Sequence, residues 1–103
     1  MAILALDAGT TGVTALVVSE TGAVISRGYR EFLQYFPEPG FVEHEPEEIW
    51  QATVAAATEA LSQTTTPLSA IGITNQRETI VLWDKHTLRS PRKAIVWQDR
   101  RTA

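Results

Sequence analysis

Cysteine is absent from the 103-residue chain, so neither a disulfide framework nor a thiolate metal site can form. No apolar run approaches the roughly eighteen residues of a membrane-spanning helix. The opening MAILALDAGTT lacks a basic segment, its apolar stretch is short, and Asp7 interrupts it, which is unlike a secretory leader. Lys and Arg form no run, and the net charge is −3, so no basic stripe exists for a phosphate backbone and nucleic acid is not an expected partner. Also missing are internal repeats, low-complexity tracts and a G-x-G-x-x-G turn leading from a strand into a helix. What is there has the length and the 44% apolar content of one domain with one core, expected in the cytoplasm.

Residues 2–7 (AILALD) form a short apolar run that enters the small-residue cluster at 8–12, and the β-branched segment 13–19 follows at once, which predicts a hairpin. Thr21-Gly22 predicts a second turn, with a third strand from Ala23 and a possible bulge at Gly28. The three strands make an antiparallel meander. Three prolines and a glycine in residues 35–46 predict a loop. A helix is expected over about Pro46–Gln63, with Pro46 at its first position and Glu47 and Glu48 in the first turn. Its buried face is predicted to hold Ile49, Trp50, Thr53, Ala57, Ala60 and Leu61. Residues 69–76 read as a strand covered on both sides, and 79–84 and 93–99 as two more, giving a mixed α/β order.

Two short stretches carry chemistry. In DAGTTG (7–12) a carboxylate ends a strand, Gly9 permits close backbone approach and a positive φ, and Thr10 and Thr11 offer hydroxyls beside N–H groups. This suits phosphate oxygens, with Asp7 able to hold a divalent cation; the plainer alternative is a turn in which Thr and Asp satisfy their own backbone. In ITNQRETIVLW (73–83), Arg77 and Glu78 interrupt two apolar runs. A donor fixed beside an acceptor can grip neighbouring hydroxyls, but from spacing alone a solvated ion pair worth about 0–1 kcal/mol is the simpler reading.

DAGTT after AILAL, GFVEHEPEEIW before the helix, GITNQRET after it and AIVWQDRRT near the end occur in an order and spacing that resemble the amino-terminal part of the FGGY carbohydrate kinases, specifically the members that phosphorylate glycerol. DAGTT is shared across the wider ATPase superfamily; GITNQRET and VEHEPEEIW are the glycerol-side motifs. The resemblance spans essentially all of residues 1–103. It implies a partial first lobe of a ribonuclease-H-like, actin-type ATPase fold, with the second lobe absent.

For individual residues, the resemblance implies nucleotide phosphate at Gly9, Thr10, Thr11, Gly12 and Thr14, Mg²⁺ near Asp7, and the polyol at Arg77 and Glu78. Trp97 is implied as the wall against glycerol's carbon side, beside the reading of a packed strand tryptophan. ATP (leaving as ADP) and Mg²⁺ are the implied cofactors and glycerol the implied partner. The catalytic base, an aspartate in the family, is expected downstream, so no catalytic residue falls in this chain and the fragment alone is expected to be inactive. Two departures leave a different polyol or sugar open: Thr14 stands where many members have an arginine, and Phe41 where tryptophan is common. A non-catalytic actin-like or sugar-binding protein is the reading from another class.

Trp50 and Trp83 are expected in packing, His44 as a solvated or interface residue despite flanking Glu43 and Glu45, and His86 as a loop residue. Arg100 and Arg101 are expected either to pair with acids in a part of the protein beyond this chain or to remain surface charges. The end after AIVWQDRRTA resembles a cut, and exposed edges there predict a homo-oligomer.

Overall fold

The computed structural model describes all of residues 1–103. In chain order the elements are β1 (Ala2–Ala8), β2 (Gly12–Ser19), β3 (Val24–Glu31), β4 (Glu43–His44), α1 (Pro46–Ser62), β5 (Leu68–Asn75) and β6 (Ala94–Ile95). The main sheet has the order β3-β2-β1-β5, in which β1 and β2 are antiparallel, β2 and β3 are antiparallel, and β5 runs parallel to β1. The expected meander is present, with Gly22 at φ 87° in its second turn. The bulge lies elsewhere than predicted. Gly28 is in regular register opposite Ala15, whereas the shift comes where Val17 faces Ser26 and Val18 faces Val24.

Gly28 serves close packing. A methyl group on it would overlap the Ala56 carbonyl oxygen, and the neighbouring Ser26 hydroxyl donates to the Ala60 carbonyl at 2.6 Å. Only small side chains fit so near an approach, and the buried ridge of α1 is therefore Ala52, Ala56 and Ala60, supported by Ile49 and Ala57. This corrects the predicted face in part: Ile49, Ala57 and Ala60 lie on it as expected, while Ala52 and Ala56, and not Trp50 and Leu61, complete it. Trp50 is 59% exposed and Leu61 also faces out, because hydrophobicity pointed to the large residues while the space under the helix admits alanine. The opposing core is Ala2 and Leu4 of β1 with Val13, Ala15 and Val17 of β2. Helix start and stop are as read: Pro46 at N1, Glu47 and Glu48 in the first turn, and Gln63 as C-cap.

α1 lies over β3 and β2 and does not cover β5, the edge strand at the other side of the sheet from β3. The predicted two-sided covering of 69–76 is thus not found: Ile71 and Ile73, in register with Leu4 and Leu6 and so on the helix side, are exposed. The two later strands are also reduced. Ile80 makes one bridge to Ile95, and β6 keeps two residues paired with β4. Val81, Leu82 and Trp83 have no strand beside them and lie exposed, so Trp83 does not pack as expected; without a ladder, β-branched composition cannot hold a strand. His86 lies in the expected exposed loop, where Asp84 accepts its N–H. No helix is long and apolar enough to cross a membrane.

Candidate functional site

Residues 9–11 link β1 to β2, closed by a bond from the Gly9 N–H to the Gly12 carbonyl at 2.9 Å. Gly9 does not use the positive φ open to it, and a Cβ there would meet only the Gly12 oxygen, at 3.4 Å. Gly12 is the constrained position, since a Cβ would lie 2.5 Å from the Tyr29 hydroxyl and 2.7 Å from the Arg30 carbonyl. The carbonyls of the turn and the Thr10 hydroxyl oxygen are occupied. Gln34 Nε2 donates to the Thr10 carbonyl at 2.8 Å, the Phe32 N–H to the Thr11 carbonyl at 3.3 Å, and the Trp97 indole N–H to the Thr10 hydroxyl oxygen at 3.0 Å. The N–H groups of Thr10 and Thr11 and both hydroxyl protons remain open. A turn with its donors outward and its acceptors tied back favours an anion.

Asp7 is in register with Thr14 on β2 and Thr74 on β5, so the three side chains share the sheet face opposite α1. They border a groove of about 290 Å³. The Asp7 carboxylate is exposed and accepts no hydrogen bond, and no cluster of three acids or histidines surrounds it.

The Gln76 N–H donates to the Ala8 carbonyl at 2.9 Å, which pins the end of β5 to the base of the turn. Arg77 and Glu78 come next, both exposed. They pair neither with each other nor with any other group, so the solvated ion pair does not form. Glu78 has φ 61° in the left-handed region, a conformation that costs a residue with a Cβ about 1–2 kcal/mol. Such strain at an exposed, unbonded carboxylate is the kind that gathers at ligand sites. Trp97 is 51% exposed, which rules out the core reading, and its backbone N–H meets the Thr79 hydroxyl at 3.3 Å.

His44 corrects an expectation. It is fully buried, with Nε2 bonded to Gln34 Oε1 at 2.7 Å, Nδ1 to Gln76 Nε2 at 3.1 Å, and the Phe32 ring edge-on at 4.8 Å. Burial pushes its pKa below the ordinary histidine value, which keeps the ring neutral. Gln34, Gln76 and Thr79 escaped sequence reasoning because single amides and hydroxyls carry no spacing signal. For His44 the alternation along β4 was the available sign: it turns Glu43 and His44 to opposite sides.

Residues 2–103 match the FGGY family of carbohydrate kinases, N-terminal domain. The chain belongs to the FGGY family of carbohydrate kinases. It is 53% identical over 102 residues to the glycerol kinase of Gloeobacter violaceus, covering 99% of this chain and 20% of that protein. The solved glycerol kinase of Plasmodium falciparum with ADP superposes with a TM-score of 0.89 at 31% identity, covering 97% of this chain and 21% of that one. The xylulose kinase of Rhodospirillum rubrum does so with 0.92 at 25% identity, covering 98% and 21%. The chain thus spans about a fifth of the length of the curated relatives it matches. Its mixed sheet and single helix are part of the ribonuclease-H-like, actin-type ATPase fold.

In this FGGY segment residues 40–44, which end in β4, are tied to residues 94–101. Arg101 reaches Asp99 at 2.7 Å and Glu43 at 2.8 Å while stacking 3.9 Å from the centre of the Phe41 ring, and Asp99 accepts the Val42 N–H at 2.7 Å. The bonded guanidinium holds the Asp99 carboxyl well below the usual carboxylate range. Arg101 therefore finds its acids inside the chain, and Phe41 lies under it. Arg100 is exposed without an ion pair.

Proposed function

We propose that the complete protein is a cytoplasmic kinase that transfers the γ-phosphoryl group of ATP to a terminal hydroxyl of glycerol, forming sn-glycerol 3-phosphate. One observation carries this reading: the Trp97 indole bonded to Thr10 and the Gln76 amide bonded to Ala8 bring the Arg77–Glu78 pair beside a turn with open donors. Similarity to glycerol kinases over nearly the whole chain supports glycerol as the acceptor.

In this reading residues 1–103 are the amino-terminal part of the first FGGY domain. Thr10 and Thr11, with Gly9 and Gly12 shaping the turn, donate N–H and O–H groups to phosphate oxygens, and Thr14 lines the groove beside them. Fixed donors favour transfer by stabilising charge where it develops, without reorganisation. The lone, unbonded Asp7 carboxylate fits Mg²⁺, which takes one or two carboxylates and keeps waters; bound there, the ion would neutralise charge on the phosphates. Arg77 donates to and Glu78 accepts from adjacent glycerol hydroxyls, and the exposed Trp97 ring covers the carbon side. The hydroxyl proton goes to a downstream aspartate as the oxygen attacks phosphorus and the bond to ADP breaks.

The test is a panel of glycerol, xylulose and gluconate with Mg-ATP on the complete protein, alongside calorimetry on the 103 residues alone. Glycerol preference in the first and no turnover with weak binding in the second are expected. A sugar preferred over glycerol, or turnover by the 103 residues, would refute the assignment.

A further inference from the structure

We propose that His44 is a positioning residue, holding the phosphate turn at a set distance from the polyol segment through a hydrogen-bond chain of single direction that runs from the Trp97 backbone to the Thr10 carbonyl. Its catalytic consequence rests on the kinase reading above; its geometry does not.

Both ends of the chain are backbone groups of invariant polarity. The Thr10 carbonyl can only accept, so Gln34 must present Nε2 to it, at 2.8 Å. The same amide then turns Oε1 toward His44 Nε2 at 2.7 Å, and that nitrogen must carry the proton. Gln76 also has a fixed polarity, since its Nε2 donates to the Gly9 carbonyl at 3.4 Å; the same NH₂ group faces His44 Nδ1 at 3.1 Å, so Nδ1 is bare and accepts. Gln76 Oε1 faces the other way and accepts from the Thr79 hydroxyl at 2.9 Å. With its proton used, the Thr79 oxygen accepts the Trp97 N–H at 3.3 Å, and this end can only donate. Reversing any link sets two donors or two acceptors face to face.

The chain crosses the gap between the parts that must meet in phosphoryl transfer. Gln34 at one end holds Thr10 of the turn; Gln76 and Thr79 bracket Arg77 and Glu78; Trp97 closes the ring through its indole bond back to Thr10. Two further bonds from Gln76 to the turn's base, at Ala8 and Gly9, act in the same place. His44 is the one rigid ring in the path, fully buried and edge-on to Phe32, so it sets a spacing that flexible amides alone would not. No charged side chain bonds to it.

The experiment uses the complete protein labelled with ¹⁵N at histidine and tryptophan, and the variants His44→Phe, His44→Gln and Thr79→Val. His44 is expected to show a protonated Nε2 and a bare Nδ1. In His44→Phe the Trp97 indole N–H, assigned through Trp97→Phe, should shift and exchange faster. Because misplacement by about 1 Å costs up to roughly 100-fold in rate, kcat should fall by about 10–100-fold while KM for glycerol and for ATP stays within about threefold. His44→Gln, which retains a donor and an acceptor, should recover part of this. Thr79→Val, which leaves the buried ring untouched, should show the same changes more weakly and decides the matter if His44→Phe fails to fold. A proton on Nδ1, an unmoved Trp97 indole in both His44→Phe and Thr79→Val, or unchanged kcat in an active enzyme would overturn the proposal. Wild-type protein inert toward every polyol would sink the kinase reading and this catalytic consequence with it, while the tautomer and the indole signal still decide whether His44 spaces the turn.

Discussion

Replacing Glu78 by glycine should separate what this residue does for folding from what it does for ligand. At φ 61° its Cβ carries about 1–2 kcal/mol of strain, which glycine relieves. Glycine also gains freedom in the unfolded chain, worth about 0.5–1 kcal/mol against folding. The side chain makes no bond that the substitution would lose. The balance is a stability unchanged or raised by up to about 1.5 kcal/mol. For ligand the sign reverses. A hydrogen bond from a neutral hydroxyl to a carboxylate contributes about 1.5–3 kcal/mol, so KM for glycerol should rise by roughly 10- to 150-fold. Thermal unfolding by circular dichroism and steady-state kinetics on the same preparation read the two effects. Loss of more than about 1 kcal/mol of stability would show that Glu78 has a folding role, and unchanged KM would refute its place in the polyol site.

Gly28→Ala should destabilise by about 1–3 kcal/mol or more, since a methyl drives against the α1 backbone, whereas Gly72→Ala, with open space around it, should leave the melting temperature nearly unchanged; comparable losses in both would refute the close-packing account. Because His44 is held neutral below its ordinary pKa, its contribution is present in full above about pH 6.5 and is lost as pH falls, when the unfolded chain takes up a proton that the folded state refuses. Denaturation across pH 5–8 should show this slope in the wild type and a flatter one in His44→Gln; identical profiles would count against the buried neutral ring. The 103 residues alone should self-associate through the exposed β5 with Ile71 and Ile73, and a monomeric mass by light scattering at high concentration would contradict this.

Much of the fold was legible because it rests on short-range rules. Hairpin strands declare themselves by β-branched residues around a glycine-threonine turn, and α1 by Pro46 with acids behind it, so both came within a residue or two of their limits. The glycine-threonine turn and the Arg77–Glu78 pair also stood out as compact local motifs, but a ligand role for either rested on the family resemblance, since spacing alone fits a self-satisfied turn and a solvated ion pair. What tertiary structure decided was every matter of partnership. Residues 79–84 have strand composition but no neighbour to pair with; the helix buried its alanines because Gly28 and Ser26 draw near; and β5 stands bare because α1 does not reach it. From sequence His44 is expected in solvent or at an interface, and Arg101 in solvent or paired beyond this chain, yet one is enclosed by glutamines 10 and 32 positions away, and the other bonds an acid 58 positions away. Local sequence determines which backbone conformations are favoured, whereas burial and hydrogen-bond partners depend on contacts between distant segments that exist only once the chain has folded.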